Sequence, residues 1–123
     1  MATLVVADYG EAIAHYVETI GFELIEDRPL GDGKRWVVVA PSRESGGRFL
    51  LARAATSAQA ARIGDQTGGR VAFFIETDDF DRDHAAMSAR GVDFREAPRS
   101  EAYGKVAVFA DRYGNLFDLI ERR

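Results

Sequence analysis

The residue that most clearly could do chemistry is an acid among apolar neighbours near the end of the chain. The sequence closes with DRYGNLFDLIERR, residues 111–123, in which Asp118 alternates with Leu116 and Ile120. A carboxylate on a strand can ligate a divalent metal, act as a general base or attract a cationic ligand. A dry, unpaired acid is costly, so Asp118 needs a cation, a donor or water. Asp118 is therefore the best candidate for a catalytic residue, and on a wet strand face it would be an ordinary polar residue.

The two histidines are the other side chains that could ligate a metal or transfer a proton. His84 falls on the sheet-facing stripe of a predicted helix, so we expect it to be partly buried. His15 falls off the apolar stripe of another predicted helix, so we expect it to face solvent. Neither histidine belongs to a predicted ligand cluster. The chain has no cysteine, which excludes disulfides, thiolate catalysis and cysteine-ligated metals.

The bulk composition is typical of one globular domain and argues against some classes of binding partner. The chain has 123 residues, of which 46% are hydrophobic and 29% charged, and its net charge is -4. An acidic balance argues against nucleic acid, whose binding proteins usually carry a basic face. No apolar run approaches a membrane span, and the first residues do not read as a signal peptide. We therefore expect a cytoplasmic protein with no nucleic-acid or membrane partner.

The sequence repeats one pattern twice, and the repeat predicts the elements that must position these residues. Three pairs of segments match in the same order: 7–24 with 78–94, 31–40 with 101–110, and 46–52 with 113–119. Each copy reads β-α-β-β-β. The repeat predicts a single domain over 1–123, with one unit over 1–53, a linker over 54–69 and a second unit over 70–123.

Helix and strand signals fill in each unit. Asp8 is a good N-cap, with Glu11 three residues later as in a capping box, and Gly21 ends the first helix. The second helix begins near Asp78 or Asp79 and ends at Gly91. The predicted strands are 2–7, 22–28, 34–40, 48–53, 70–76, 92–96, 105–110 and 115–121. Helices on one sheet face give an α+β fold, whose curved mixed sheet leaves a concave cup on the other face.

Strand alternation predicts which side chains face the cup. The first and fifth strands send Leu4, Val6, Val71, Phe73 and Ile75 toward the helices. The fourth strand sends Leu50 and Ala52 inward and Phe49, Leu51 and Arg53 into the cup. The strand of Trp36 is apolar on both faces, so Trp36 could point either way, and Tyr103 could reach the rim. The predicted ligand-binding residues are Phe49, Leu51, Arg53, Arg70, Ala72, Phe74, Asp118, Trp36 and Tyr103.

An apolar cup with a few charges fits an organic small molecule. Arg53 or Arg70 could pair with Asp118 inside it. The charged residues could equally pair with one another on a wet face, where such pairs contribute little. Phe49 and Phe74 could simply fill the cup or be covered by a partner chain.

The repeat resembles a known family. The resemblance rests on three segments: VADYGEAIAHYVETIGFEL at the first helix, ETDDFDRDHAAMSARGV at the second and FADRYGNLFDLIE at the last hairpin. The last resembles a D-P-D-G-N turn before an acid-bearing strand, with Arg112 and Tyr113 in place of Pro and Asp. Over nearly the whole chain, the pattern resembles the vicinal oxygen chelate superfamily of glyoxalase I, bleomycin-resistance proteins, fosfomycin-resistance enzymes and extradiol dioxygenases.

The resemblance implies where a metal would bind. Metal-dependent members use four strand positions, usually His and Glu, and carrying these over gives Met1, Leu51, Ala72 and Asp118. A register slip of two would replace Ala72 by Arg70. One carboxylate with aliphatic groups cannot hold a catalytic metal, so we expect no divalent metal and no other cofactor.

Three functions follow as hypotheses. The first is a metal-free small-molecule binding protein like the bleomycin-resistance branch. The second is a glyoxalase-like lyase or isomerase, or a dioxygenase-related enzyme, with a non-standard site. The third is an interaction module whose sheet face is covered by another chain. The family resemblance implies a homodimer in each case, with the cup formed within one chain or by strand exchange between two.

Overall fold

The computed structural model describes all residues, 1–123. Two units of the βαβββ type follow one another, as the repeat predicts, and the second has one strand more than the first. The first contains β1 (Ala2–Val6), α1 (Tyr9–Ala14), which continues into a π-helical segment (His15–Ile20), β2 (Glu23–Gly31), β3 (Lys34–Ala40) and β4 (Phe49–Arg53). The linker contains a short helix, α2 (Ser57–Ala60). The second contains β5 (Val71–Glu76), α3 (Phe80–Ala89), β6 (Asp93–Phe94), β7 (Arg99–Glu101), β8 (Gly104–Ala110) and β9 (Leu116–Arg122).

The strands form two mixed sheets, which confirms the α+β class. The first sheet has the order β1-β4-β3-β2 and the second the order β5-β9-β8-β6, with β7 also pairing with β8. The outer pairs, β1 with β4 and β5 with β9, are parallel. The predicted strand 92–96 is shortened to β6, and β7 is an additional strand that was not predicted; Pro98, which has no N–H to donate, lies between the two. No helix of the structure is long and apolar enough to cross a membrane.

One hydrophobic core serves both units. It contains the buried faces of both sheets and of α1 and α3. Aromatic rings connect the two sheets, with centroids 4.8 Å apart for Phe49 and Phe73 and 6.1 Å apart for Phe49 and Phe117. The other face of each sheet therefore points away from this shared core.

The predicted orientation of the fourth strand is wrong. The parallel pairing of β1 with β4 places Leu51 beside Leu4, and both side chains are fully buried in the core. Phe49 is also buried there, so Leu50 and Ala52 occupy the outer face instead. The predicted match of 46–52 with 113–119 aligns Gly47 with Gly114, and the observed register moves that match by one residue, to Gly46. A shift of one residue moves every side chain of a strand to the opposite face.

The same pairing settles the direction of Trp36. Val37 lies opposite Leu51 and is fully buried, whereas Val38 lies opposite Leu50. Because side chains alternate along a strand, Trp36 points to the outer face with Val38 and Leu50.

Asp111 joins the last hairpin to the first helix. It is buried, and its carboxylate accepts hydrogen bonds from the hydroxyl of Tyr16 at 2.5 Å and from the side-chain amide of Asn115 at 2.9 Å. It also accepts from the backbone N–H groups of Tyr113 and Asn115, both at 2.9 Å. Burial, together with the neighbouring carboxylate, raises the pKa of Tyr16 well above its ordinary value. The D-R-Y-G-N turn is therefore part of the junction between the two units.

Glu11 belongs to the same junction. Asp8 caps α1 as predicted, by accepting from the backbone N–H of Glu11 at 2.8 Å. The Glu11 carboxylate, however, accepts from Tyr113 at 2.8 Å and pairs with Arg112 at 3.0 Å. These two hydrogen bonds lower the pKa of Glu11. The Arg-Tyr pair in the turn thus holds α1 against the second unit.

Candidate functional site

The predicted site residues do not meet in one cup within the chain. Trp36, Leu51 and Arg53 line one cavity beside the first sheet. Phe49 and Phe74 line another, next to the loop that precedes β4. The remaining predicted residues, Arg70, Ala72, Tyr103 and Asp118, line none of the three cavities in the structure. The third cavity is a groove between the π-helical segment and α3.

The cavity beside the first sheet, called here the Trp36 cavity, has a volume of ≈ 430 Å³. Its lining includes Leu30, Lys34, Trp36, Leu50, Ala52 and Arg53. The β2–β3 hairpin can fold over it because Gly31, Asp32 and Gly33 all have positive φ, which forms a tight turn. The start of α2 and the residues before it close another side. Sequence reasoning missed the contributions of the hairpin and the linker.

Two arginines flank an aromatic ring at the mouth of the Trp36 cavity. The guanidinium carbons of Arg35 and Arg53 lie 5.3 Å and 5.2 Å from the centroid of Tyr9, within cation–π range. Arg35 donates to both oxygens of Asp27, at 3.1 Å and 2.6 Å, and this hydrogen bonding raises the pKa of Arg35. Arg53 instead donates to the carbonyl of Gly33 at 3.1 Å. Arg53 therefore has more free N–H donors than Arg35 and, unlike Arg35, pairs with no carboxylate.

Asp118 lies on the outer face of the second sheet, in one row with Phe74 and Val108. Phe74 is 63% exposed, and Asp118 is half-buried with a buried Oδ1 that has no hydrogen-bond partner. Burial raises the pKa of Asp118, while Arg99 opposes that shift. Arg99 is itself held by Glu96 at 3.0 Å and by Glu101 at 2.7 Å. This row is called the Phe74 face below.

The predicted ion pairs of Asp118 are absent. Arg53 lies on the other sheet beside Tyr9, and Arg70 forms no ion pair with Asp118. The charged neighbours that act on Asp118 are Arg99 and Glu96. The sequence did not indicate them because no strand was predicted over Arg99–Glu101, the residues that form β7.

Comparison with known proteins decides the family. The family model for the Glyoxalase/Bleomycin resistance protein/Dioxygenase superfamily matches residues 1–119. The chain belongs to this superfamily. The resemblance seen in the repeat is thereby confirmed.

Several members of the superfamily are similar over almost the whole chain. An uncharacterized protein of Shewanella frigidimarina (strain NCIMB 400) is 50% identical over 119 residues, which cover 96% of this chain and 88% of that protein. The crystal structure of UcmS2 has a TM-score of 0.83 at 26% identity and covers 97% of this chain and 93% of its own. TnmS3, an antibiotic binding protein from Streptomyces sp. CB03234, has a TM-score of 0.77 at 30% identity, with 98% and 92% covered.

The metal-ligand positions of the superfamily do not fit a metal in this chain. With the corrected register, the set reads Met1, Leu50, Ala72 and Asp118, which offers one carboxylate and no imidazole. No group of three or more His, Cys, Asp or Glu side chains is arranged to hold a metal ion. No chemistry through a bound metal can be assigned to these residues.

Both histidines have structural surroundings. His84 is half-buried as predicted, with its ring 5.4 Å from that of Phe80 and 4.3 Å from that of Phe94. The prediction that His15 faces solvent is wrong, because it is half-buried and its Nε2 is buried without a partner. A π-helical turn begins at His15, so α-helical spacing misplaces it. Burial lowers the pKa of His15, which favours the neutral imidazole.

Replacing Asp118 by asparagine is expected to stabilise the protein at neutral pH by roughly 0.5–1 kcal/mol. A raised pKa means that the native state holds the proton more tightly than the unfolded chain does. Stability therefore falls as the pH rises from the ordinary value of 3.8 through the raised one, and the full cost is present at neutral pH. Urea unfolding should show the gain at neutral pH and none well below 3.8. A less stable variant at neutral pH would mean that Asp118 has a favourable partner.

Proposed function

We propose that this protein is a metal-free binding protein for a small organic molecule, held in the Trp36 cavity. The observation that carries the proposal is the chemistry of that cavity. Its volume of ≈ 430 Å³ lies within the range of small-molecule sites, and Trp36, Leu30 and Leu50 give it an apolar wall. A few polar side chains, Arg53 among them, can orient a ligand. TnmS3, described as an antibiotic binding protein, supports a binding role for this chain.

The binding proposal is tested through Trp36, which is the only tryptophan of the chain. Quenching of its fluorescence reports a ligand in the cavity directly, and a screen of aromatic and antibiotic compounds can be read by quenching and thermal shift together. Ala52→Phe, which fills the cavity, should weaken binding at least about tenfold. Ala85→Phe, at an exposed position of α3, is the matched control and should not. Failure of every compound class to quench Trp36 would contradict the proposal.

The metal-free part of the proposal has its own test. It rests on the donor set, which has one carboxylate where relatives of the metal-dependent type have four ligands. Elemental analysis of protein purified without chelators should give no stoichiometric zinc, nickel, manganese or iron. Any of these metals at one per chain would overturn it.

We propose further that the protein is a homodimer and that a second copy covers the Phe74 face. Phe74 is a large, exposed apolar side chain, and it lies beside an unpartnered buried carboxylate oxygen. Groups of both kinds are expected where another surface packs. Light scattering after size exclusion should give twice the mass of one 13.5 kDa chain, and a monomer mass would contradict the dimer.

Asp118 supports a second candidate, a glyoxalase-like lyase or isomerase that needs no metal. A carboxylate with a raised pKa and a free oxygen is suited to act as a general base. Such an activity should disappear in Asp118→Asn and follow the titration of a single group in its pH–rate profile. A turnover that survives this substitution would exclude Asp118 as the base.

A further inference from the structure

We infer that the ligand of the Trp36 cavity is a small organic anion, with an aromatic or aliphatic body and a carboxylate or similar acidic group. This inference rests on the proposed binding function and names the class of molecule that the cavity selects. It follows from the charges and the hydrogen-bond donors at the mouth of the cavity.

Positive charge predominates in the lining. Lys34, Arg35 and Arg53 are the cations and Asp32 the one acid. Arg35 is neutralised by Asp27, which lies 2.6 Å away. The uncompensated charge is therefore positive, although the chain as a whole carries a net charge of -4. A basic site in an acidic protein indicates an anionic ligand.

Apart from the carboxylate of Asp32, the free polar side-chain groups considered in the cavity are donors. Arg53 uses one N–H on the carbonyl of Gly33 and has others available. Gln59 accepts from the backbone N–H of Ala55 at 2.7 Å, which leaves its NH₂ group to donate. The Tyr9 oxygen accepts from the backbone N–H of Arg35 at 3.2 Å, so its own O–H is also available. Such a set is satisfied by a ligand rich in acceptors.

The geometry also orients the ligand. The tyrosine ring holds the Arg53 guanidinium from one side, at 5.2 Å from its centroid, and so limits the side chain's freedom. Trp36, Leu30 and Leu50 form the apolar part of the same lining. An acidic group would bind at Arg53 and Lys34 while the apolar body contacts Trp36.

Three probes with one ring and different charges test the inference: para-nitrobenzoate, para-nitrobenzyl alcohol and para-nitrobenzylammonium. Nitroaromatic rings quench tryptophan on contact, so Trp36 reports each titration. The benzoate should bind about tenfold more tightly than the other two, as expected for a charge-assisted hydrogen bond. Added salt should reduce that preference, since it screens exposed charges.

Substitutions test which side chains cause the preference for the benzoate. Arg53→Gln should reduce benzoate affinity about tenfold, to about that of the alcohol, and should reduce alcohol affinity much less. Arg70→Gln makes the same charge change at an exposed residue that lines no cavity, and should have no effect. Because Arg53 also packs on Tyr9, Lys34→Gln on the exposed hairpin is a second variant, and it should weaken benzoate binding alone.

The outcomes separate this inference from the proposed function. Equal or tighter binding of the alcohol or the ammonium to the unmodified protein overturns the anion preference and leaves small-molecule binding intact. An unchanged benzoate affinity in both Arg53→Gln and Lys34→Gln overturns it as well. A third outcome is that no probe quenches Trp36 and that Arg53→Gln dissociates a dimer. The site would then be filled by an acidic side chain of a second copy, and both the small-molecule binding and the anion preference would be overturned.

Discussion

Replacing Asp111 by alanine is expected to lower the free energy of unfolding by about 3–5 kcal/mol. The carboxylate is buried and receives hydrogen bonds from Tyr16, Asn115 and Tyr113. Without it, these donors remain in a dry junction with no acceptor, and each unsatisfied donor costs about 1–3 kcal/mol. The total is a large fraction of the stability of an ordinary domain.

Asp93→Ala is the matched control. Asp93 is exposed and pairs with Arg95 at the surface at 2.8 Å, so its loss should cost less than about 1 kcal/mol. Tyr16→Phe removes one donor and leaves the turn intact, and should cost about 1–2 kcal/mol. Urea denaturation followed by circular dichroism measures all three variants. Equal stability of Asp111→Ala and Asp93→Ala would show that the junction does not depend on this carboxylate.

Sequence periodicity predicted most elements of the fold, with β7 and the π-helical segment as exceptions, but it did not predict the role of Asp111. The acid is recognisable as the first residue of a turn, because the turn lies within the repeat. Its most distant partner, Tyr16, is 95 residues away in sequence, on a helix of the other unit. The hydrophobic pattern within one repeat does not indicate which of its residues contact the other repeat. The same limitation applies to Glu11, which the sequence predicts as a capping residue and which instead contacts Tyr113.

Only part of the candidate site was predicted, for a similar reason. Trp36 and Arg53 were named in advance and both line the cavity, although the direction of Trp36 was left open and Arg53 was assigned with a register of β4 that the structure overturns. The hairpin and linker groups that complete the cavity, such as Leu30 and Gln59, lie in segments without periodicity. The error in β4 came from two consecutive glycines, Gly46 and Gly47, which allow two registers. The strand has no alternation of polar and apolar residues that would indicate the correct register from the sequence. Burial decides between the two registers in the structure, because the predicted one would turn Phe49 and Leu51 out of the core.

The shared core explains why the two sheets do not close one cup within the chain. The phenylalanines of both sheets pack against each other, which turns the Trp36 side and the Phe74 face away from the common interior. A binding site on either outer face must then be completed by segments that pack at the edge of the sheet. For the Trp36 cavity, that support is the linker. Gln66 accepts from Val5 N–H at 2.5 Å and donates to the carbonyl of Thr3 at 3.0 Å, which binds the linker to the free edge of β1.

The linker is also fixed at Gly64, and Gly64→Ala is the second substitution expected to have a large effect. An added Cβ would lie 1.9 Å from the carbonyl oxygen of Tyr113, and φ at this position is +76°. Backbone cannot move aside as a flexible side chain can, so the linker or the last hairpin must shift. We expect a loss of about 3–5 kcal/mol, from the left-handed conformation and the steric overlap together.

Gly68→Ala separates the two contributions. Gly68 has a similar φ of +66°, and an added Cβ there meets nothing within 4 Å. It should therefore cost only about 1–2 kcal/mol, the penalty of the left-handed conformation itself. Gly64→Ala should in addition weaken ligand binding in the Trp36 cavity, because the displaced linker carries Ala55 and Gln59 of its lining. Equal losses of stability in the two variants would mean that the linker yields freely at Gly64, and that it does not hold the cavity in shape.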